Sequence, residues 1–412
     1  MLSRVIYLTW KISREQWLSP ETLEKIQQNK LQKMVHHAYE NTEFYQNLFD
    51  SCDVAPDDIK TKDDLSQLDI TTKEDLQNHF DKMVATGYSQ ENCVVNATSG
   101  ATGVPIEILY DPYTLDYFRA ESFVQMFDTG YKPWEKIAYT KRKPWRSHFM
   151  QKLGFLRSYH VDSMLPDKDQ AHLLQKIDPA LIASYPTLLY TIAKTAAAEG
   201  VTINPRSVII GGELLDPHIK EYIEDTFSTK VYNIYATVEF STVAKKCSCG
   251  NWHIQSTQNL VEFLDQTIVI TGLVNKALPL IRYNIEDVGQ PKPGVCPCGR
   301  GYPMMDMLQG RSGDFITLPD GRKIPPLKFG RVKLVLDSTL AARRYQIIQE
   351  EPDLFTIKVV PTPKFTDEIE QNLIHELAKA LDYPVNIKVK KVDNIPLADG
   401  RKLRIIVSHV SQ

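Results

Sequence analysis

The chain has 412 residues, of which 42% are hydrophobic and 24% charged, and its formal net charge is -3. This length favours two domains over one core, and the composition is that of an ordinary globular protein. The small net charge gives no electrostatic case for nucleic acid or for an anionic membrane as partner. No apolar run approaches the ~20 residues that cross a bilayer, and residues 5–10 lack a cleavage signal, so we expect a cytoplasmic protein.

The N-terminal quarter is predicted to be helical. Ser19 and Pro20 have the character of an N-cap and a first helical residue, and apolar residues recur on one face across residues 23–38. A second capped helix is predicted to begin within residues 71–76, which read T-T-K-E-D-L. These segments predict helical structure ahead of the first strand.

Residues 93–311 alternate between β-branched runs and helical patterns. Predicted strands are residues 106–109, 181–183, 208–210 and 267–270, and predicted helices are residues 188–198 and 219–227. Such alternation predicts an α/β fold built on mixed or largely parallel sheets. Beyond Arg311, a turn-rich connection precedes a second unit: predicted strands at 344–348 and 355–360, a helix at 366–381 and a strand at 385–392. We therefore expect a large N-terminal domain, residues 1–311, and a small α+β domain, residues 312–412.

Residues 96–105, N-A-T-S-G-A-T-G-V-P, are the most informative segment. Backbone N–H groups and hydroxyls from Ser99, Gly100, Thr102 and Gly103 are suited to surrounding phosphate oxygens. No G-K-[ST] follows, so the segment is not a Walker loop. An ordinary surface turn is the alternative.

Polar residues follow two predicted strands further along the chain. Gly211, Gly212 and Glu213 come after the strand at 208–210, where open α/β sheets bind ligands. Residues 232–239 then offer the aromatic ring of Tyr235 and the carboxylate of Glu239, and a carboxylate beside phosphates is typical of Mg²⁺ binding. A simple turn and a strand end with one exposed Glu are the respective alternatives.

Three charged segments complete the candidates for nucleotide chemistry. Asp287 is expected just beyond a strand, where it would accept both ribose hydroxyls or cap a turn. Arg311 stands where the large domain is predicted to end and would bridge nucleotide and hinge. Lys402, in a predicted loop at residues 399–404, would meet developing negative charge, and a solvated basic turn is its alternative.

The cysteines point to a metal. Cys247 and Cys249 form one Cys-X-Cys pair, Cys296 and Cys298 form another, and His253 follows the first. Four of these five side chains would make a closed tetrahedral zinc site, which is structural because no position stays open for water. The zinc would clip residues 247–298 back onto the sheet. Unpaired reduced cysteines are the alternative.

Taken in chain order, these segments resemble the adenylate-forming superfamily, and specifically its phenylacetate–coenzyme A ligase branch with its relatives in capsular-polysaccharide biosynthesis. The resemblance includes residues 41–45, 56–59 and 71–76, and the C-P-C-G-R segment at 296–300, which in that branch accompanies bound zinc. It implies a nucleotide site made of the following residues: Ser99, Gly100, Thr102, Gly103, Gly211, Gly212, Glu213, Tyr235, Ala236, Thr237, Glu239, Asp287 and Arg311. Tyr235 would stack on adenine, Glu239 would ligate Mg²⁺, and Lys402 would act in catalysis with Glu239 and Thr102.

The resemblance also implies a reaction. A carboxylic acid and ATP would give an acyl-adenylate and pyrophosphate, and the acyl group would pass to coenzyme A. Alternatives are transfer to an amine, hydroxyl or carrier-protein thiol, and a non-catalytic nucleotide-binding protein. Val104, Ala236, Val238 and the Arg401–Lys402 pair depart from the family pattern and keep these alternatives open. The branch often forms homodimers.

Overall fold

The computed structural model describes residues 2–97, 106–141, 149–213, 215–311, 316–324, 329, 332, 335–336, 341–395 and 406–410. Its helices up to the end of the large sheet are α1 (Leu2–Glu15), α2 (Pro20–Asn41), α3 (Glu43–Ser51), α4 (Lys73–Asn78), α5 (Phe80–Met83), α6 (Pro112–Asp128), α7 (Phe149–Lys152), α8 (Asp167–Ile177), α9 (Pro186–Glu199) and α10 (Pro217–Phe227). Short 3₁₀ turns lie at Pro56–Asp58 and Asp63–Gln67. Within the described ranges, no helix has both the length and the apolar character needed to span a bilayer.

The predicted helix caps are confirmed. Ser19 caps α2 by accepting a hydrogen bond from the backbone N–H of Thr22. Thr72 and Asp75 form a reciprocal capping box at the start of α4, which satisfies two backbone donors that the helix leaves unpaired. No helix is predicted above for residues 2–15, yet they form α1.

One continuous sheet carries most of the N-terminal strands. Its members are β3 (Lys136–Lys141), β4 (Arg157–Asp162), β5 (Leu181–Ser184), β6 (Ser207–Gly211), β7 (Lys230–Thr237), β8 (Ser241–Lys246), β9 (Trp252–Ile254), β10 (Asn259–Leu264), β11 (Thr267–Gly272), β12 (Tyr283–Lys292) and β13 (Met304–Arg311). The order is β10-β11-β12-β13-β9-β8-β7-β6-β5-β3-β4. A separate antiparallel pair, β1 (Val94–Ala97) and β2 (Glu107–Tyr110), precedes it.

The large sheet has a parallel half and an antiparallel half. Strands β4, β3, β5, β6 and β7 run parallel, because helical crossovers connect them. From β7 onward the pairing is antiparallel, because the connections are short turns such as residues 238–240. The predicted α/β fold on mixed or largely parallel sheets is therefore confirmed, and the large sheet is mixed.

The last described segments form a second sheet around one helix. Its strands are β16 (Ala342–Glu351), β17 (Leu354–Pro361), β18 (Asn386–Lys391) and β19 (Ile406–Ser408), with α11 (Asp367–Leu381) between β17 and β18, and a small hairpin of β14 (Ile316–Thr317) and β15 (Lys323–Ile324) precedes them. The strand order is β18-β17-β16-β19. The bounds of β16, β17, α11 and β18 overlap the predicted strands and helix, which confirms their positions. Leu373, Leu377 and Leu381 of α11 are fully buried in a hydrophobic cluster drawn from residues 316–406.

Candidate active site

The carboxyl edge of the parallel half ends in two glycines that leave no room for a side chain. A Cβ on Gly211 would lie 2.6 Å from Cγ1 and 2.9 Å from the carbonyl oxygen of Ile234, its partner in β7. Gly212 has φ 77°, and a Cβ there would lie 2.9 Å from the Tyr185 ring. Gly211 is the last residue of β6 and Gly212 follows it, so both lie at the carboxyl edge where an open α/β sheet binds ligands.

Gly212→Ala tests this close packing. We expect a loss of about 1 kcal/mol in stability from the positive φ, together with roughly tenfold weaker adenylation because the Tyr185 ring must move. Gly200→Ala is the matched control: its φ is 67°, but nothing lies within 4 Å of the added Cβ. Thermal melts and steady-state kinetics of both variants separate the two effects. Equal kinetics in the two variants would contradict a role for the Tyr185 contact.

Tyr235 and Asp287 join two distant segments at this edge. The phenolic hydroxyl of Tyr235, near the end of β7, donates a 2.7 Å hydrogen bond to Oδ2 of Asp287 in β12. Asp287 lies inside β12, so the prediction that it follows a strand is wrong. The chain turns at Arg282, whose φ is 48°, and the strand starts only after that turn. Arg311 pairs with Asp287 in the β12–β13 register, while its side chain lies outside the described part of the structure.

Glu239 occupies the turn between β7 and β8, beside two tyrosines. Burial, reinforced by the charge of Glu239, raises the pKa of Tyr110 and of Tyr283. The Tyr110 hydroxyl also donates a hydrogen bond to the Val238 carbonyl, which fixes the turn that carries Glu239. Both phenols therefore stay protonated around this carboxylate at neutral pH.

Glu213 follows the glycines and is held by α9. Its Oε2 accepts hydrogen bonds from the hydroxyl (2.6 Å) and backbone N–H (3.2 Å) of Thr187. Ala236 and Thr237 end β7, and the Thr237 hydroxyl accepts a hydrogen bond from the backbone N–H of Phe240. These residues therefore shape the edge beside Tyr235 and Glu239.

Five predicted site residues lie outside the described residues. They are Ser99, Gly100, Thr102, Gly103 and Lys402. The described flanks, β1 and β2, pair antiparallel with Ala97 opposite Glu107, so residues 98–106 connect the two strands.

Four of the five predicted metal ligands come together. One ligand atom from each of Cys247, His253, Cys296 and Cys298 lies within 4.8 Å of the others. The Sγ atoms of Cys247 and Cys296 are 3.6 Å apart, far beyond the length of about 2.05 Å for a disulfide, and Cys298 Sγ is 3.3 Å from His253 Nε2. Cys249 is exposed and lies outside this group.

The surroundings of this Cys/His cluster orient its ligand atoms. His253 Nδ1 lies 3.1 Å from the Tyr302 carbonyl oxygen, so it carries the proton and leaves Nε2 as an acceptor. Burial disfavours the Cys296 thiolate, but hydrogen bonds from the Asn251 amide and from Cys298 outweigh it and lower the pKa of Cys296. Burial raises the pKa of the Cys247 thiol, whose Sγ is 3.6 Å from that of Cys296, to about 11, so of these two thiols only Cys296 is biased toward the thiolate that binds metal.

Sequence reasoning missed the residues that support these groups. Tyr110, Thr187, Asn251 and Tyr302 hold predicted site residues in place, but no motif marks them. Only Asn251 carried a signal, because it lies between the first cysteine pair and His253.

Comparisons with known proteins show what the whole chain is similar to. Residues 317–409 match the model of the CapK C-terminal domain family. The phenylacetate-coenzyme A ligase of Thermus thermophilus is 24% identical, over 95% of this chain and 97% of that protein. The Escherichia coli phenylacetate-coenzyme A ligase is 21% identical, over 94% of this chain and 95% of that protein. The chain is therefore similar to phenylacetate–coenzyme A ligases over nearly its whole length.

A solved structure supports the fold of this chain. The 2-hydroxyisobutyryl-CoA ligase, in its postadenylation state with a bound acyl-AMP, superposes with a TM-score of 0.77. The match covers 96% of this chain and 92% of that one at 18% identity. The adenylate-forming fold predicted from the sequence is therefore confirmed.

Proposed function

We propose that the protein is an AMP-forming carboxylate ligase. It converts a carboxylic acid and ATP into an acyl-adenylate and pyrophosphate, and then transfers the acyl group to coenzyme A. The observation that supports this most directly is the Tyr235–Asp287 hydrogen bond beside the Gly-Gly edge, because it joins segments 52 residues apart that are both predicted to bind nucleotide.

Each described residue has a defined place in this proposal. Gly211 and Gly212 admit the adenine to the backbone, Tyr235 covers its face, and Asp287 accepts the ribose hydroxyls. Glu239 holds Mg²⁺, which neutralises phosphate charge when bound. Because Tyr235 also orients the Asp287 carboxylate, ribose and adenine recognition are coupled.

The chemistry requires positioning and charge stabilisation more than acid–base catalysis. The acyl carbon of a free carboxylate is a poor electrophile and must be activated. The carboxylate oxygen attacks the α-phosphorus of ATP, which forms a mixed anhydride and releases pyrophosphate. Preorganised hydrogen-bond donors and cations lower this barrier. The thiol of coenzyme A then attacks the acyl carbon, forming the thioester and releasing AMP.

The proposal also gives Lys402 a catalytic role and the C-terminal domain a movement between the two half-reactions. A domain of residues 312–412 that rotates about a hinge would bring Lys402 to the α-phosphate for adenylation and remove it for thioester formation. Lys402→Ala would then slow adenylation about 100-fold while thioester formation from added acyl-adenylate stays unchanged. Equal loss of both half-reactions would argue against this division of labour.

ATP–pyrophosphate exchange tests the proposed function. The purified protein with Mg²⁺ is assayed against aryl, aliphatic, amino and sugar carboxylic acids. Exchange that depends on one class of acid establishes adenylation and names the substrate class. Binding of ATP without exchange for any acid would support the non-catalytic alternative.

The acyl acceptor needs its own test. Coenzyme A is proposed because the relatives over nearly the whole chain are coenzyme A ligases. The C-terminal residues match the CapK family instead, which keeps an amine, hydroxyl or carrier-protein thiol as second candidate. An acceptor panel offered to preformed acyl-adenylate separates them by product.

We also propose that the Cys/His cluster holds a structural zinc ion. Zn–S bonds of about 2.3 Å in tetrahedral geometry separate two sulfur atoms by about 3.8 Å, and Cys247 and Cys296 are 3.6 Å apart. Three sulfurs and one imidazole nitrogen are a full ligand set for structural zinc. Zinc would join β8, β9 and the β12–β13 loop, as the sequence predicts.

A further inference from the structure

The inner face of helix α1 is buried against helix α6. Val5, Leu8 and Ile12 are buried and pack against Tyr117 and Val124 of α6. This packing accounts for the helix itself and leaves its outer face unexplained.

The outer face exposes large apolar side chains. Ile6, Tyr7 and Trp10 are 61%, 57% and 53% exposed, and Trp17, just past the helix end, is 52% exposed. Ile6 and Trp10 lie four residues apart on one side of α1, and the rings of Tyr7 and Trp10 are 6.2 Å apart. Contiguous apolar surface of this kind marks an interaction site.

The charges around this face are basic. Arg14 stacks on Trp10 at 4.6 Å, and Arg4 and Lys11 are also partly exposed. Their acidic partners, Asp116 and Glu15, are buried. The helix therefore presents cations to solvent and keeps its neighbouring carboxylates inside.

The end of α1 is held firmly. Gln16 accepts a 2.8 Å hydrogen bond from Arg300 Nε through its side chain and a 3.0 Å bond from Gly301 N–H through its backbone. Gln16 also donates to Asp128, which contacts Arg300 at 3.4 Å. The outer face is thus presented by a fixed helix.

We propose that the outer face of α1 docks on an anionic lipid surface. Tryptophan and tyrosine beside arginine and lysine, with the Glu15 carboxylate buried, are the chemistry of a helix that lies in a membrane interface. The small net charge of the chain gives no hint of this site, because the basic residues are local to one helix.

Vesicle sedimentation of the full chain tests the proposal. We expect binding to phosphatidylcholine vesicles that contain phosphatidylserine to be about tenfold tighter than to pure phosphatidylcholine, and to weaken with salt. The double variant Ile6→Glu, Trp10→Glu should lose at least about tenfold in binding while its thermal melt and pyrophosphate exchange stay unchanged. Trp134→Glu is the control, because Trp134 is 57% exposed elsewhere on the surface.

Three outcomes would overturn the proposal. One is wild-type binding that does not depend on anionic lipid, including no binding at all. Another is equal loss in the Trp134→Glu control. The third is a wild-type dimer in sedimentation velocity that the double variant dissociates, which would assign the face to a second copy of the chain.

Discussion

Replacing Glu239 by Gln is expected to lower acid-dependent ATP–pyrophosphate exchange by at least about 100-fold. The amide keeps the size of the side chain but loses the charge that Mg²⁺ requires from an oxygen ligand. The turn should persist, because Tyr110 holds it through the Val238 carbonyl rather than through the carboxylate. The measurement is exchange at saturating acid across a range of Mg²⁺ concentrations.

A matched control makes the Glu239 result specific. Glu107→Gln removes one carboxylate from β2, where the side chain is exposed and accepts a hydrogen bond from Gln90. Its exchange activity should equal that of the wild type. Undiminished exchange in Glu239→Gln would remove this residue from the proposed magnesium site, and partial recovery at high Mg²⁺ would support it.

Local chemistry made much of the fold predictable. Ser19 and Thr72 cap helices through contacts within three residues, so their sequence signals need no tertiary information. The strand at 208–210 is a buried parallel strand and reads as a continuous apolar run. Gly211 and Gly212 follow it directly, and the structure gives both glycines a steric reason to be there.

Tertiary context decided what the sequence left open. Helix α1 was missed although residues 2–15 carry the period of an amphipathic helix, with Val5, Leu8 and Ile12 on one face, so this element was predictable from the sequence. Asp287 was placed beyond its strand because the turn at Arg282 depends on the antiparallel pairing of β12 with β11, which no local motif marks.

The choice among the candidate metal ligands also depends on tertiary structure. The two Cys-X-Cys pairs look equivalent in sequence, but β9 pairs with both β8 and β13 and brings His253 to the second pair. That pairing excludes Cys249 and includes His253. Spacing alone could name five candidates, and only the strand order selects four.

The Cys/His cluster also anchors the N-terminal helix. Arg300 follows Cys298 by two residues, stacks on Trp17 at 4.8 Å and pairs with Asp128 of α6. A Cβ on Gly301 would lie 1.9 Å from the Leu18 carbonyl oxygen, so this loop and the α1–α2 connection are in direct backbone contact. Removal of the proposed zinc should therefore loosen α1 as well as the β12–β13 loop.

Cys296→Ser is expected to abolish stoichiometric zinc binding and to lower the melting temperature by roughly 5–10 °C. The serine hydroxyl does not supply the thiolate that zinc requires, and Cys296 is buried at the centre of the cluster. Metal analysis and calorimetry of the purified protein make the measurement. Cys249→Ser is the matched control and should keep both zinc and stability, because Cys249 is exposed and outside the cluster. Zinc retained in Cys296→Ser, or lost in Cys249→Ser, would refute the ligand assignment. Faster amide hydrogen exchange in α1 of Cys296→Ser, but not of Cys249→Ser, would show that the cluster also anchors this helix.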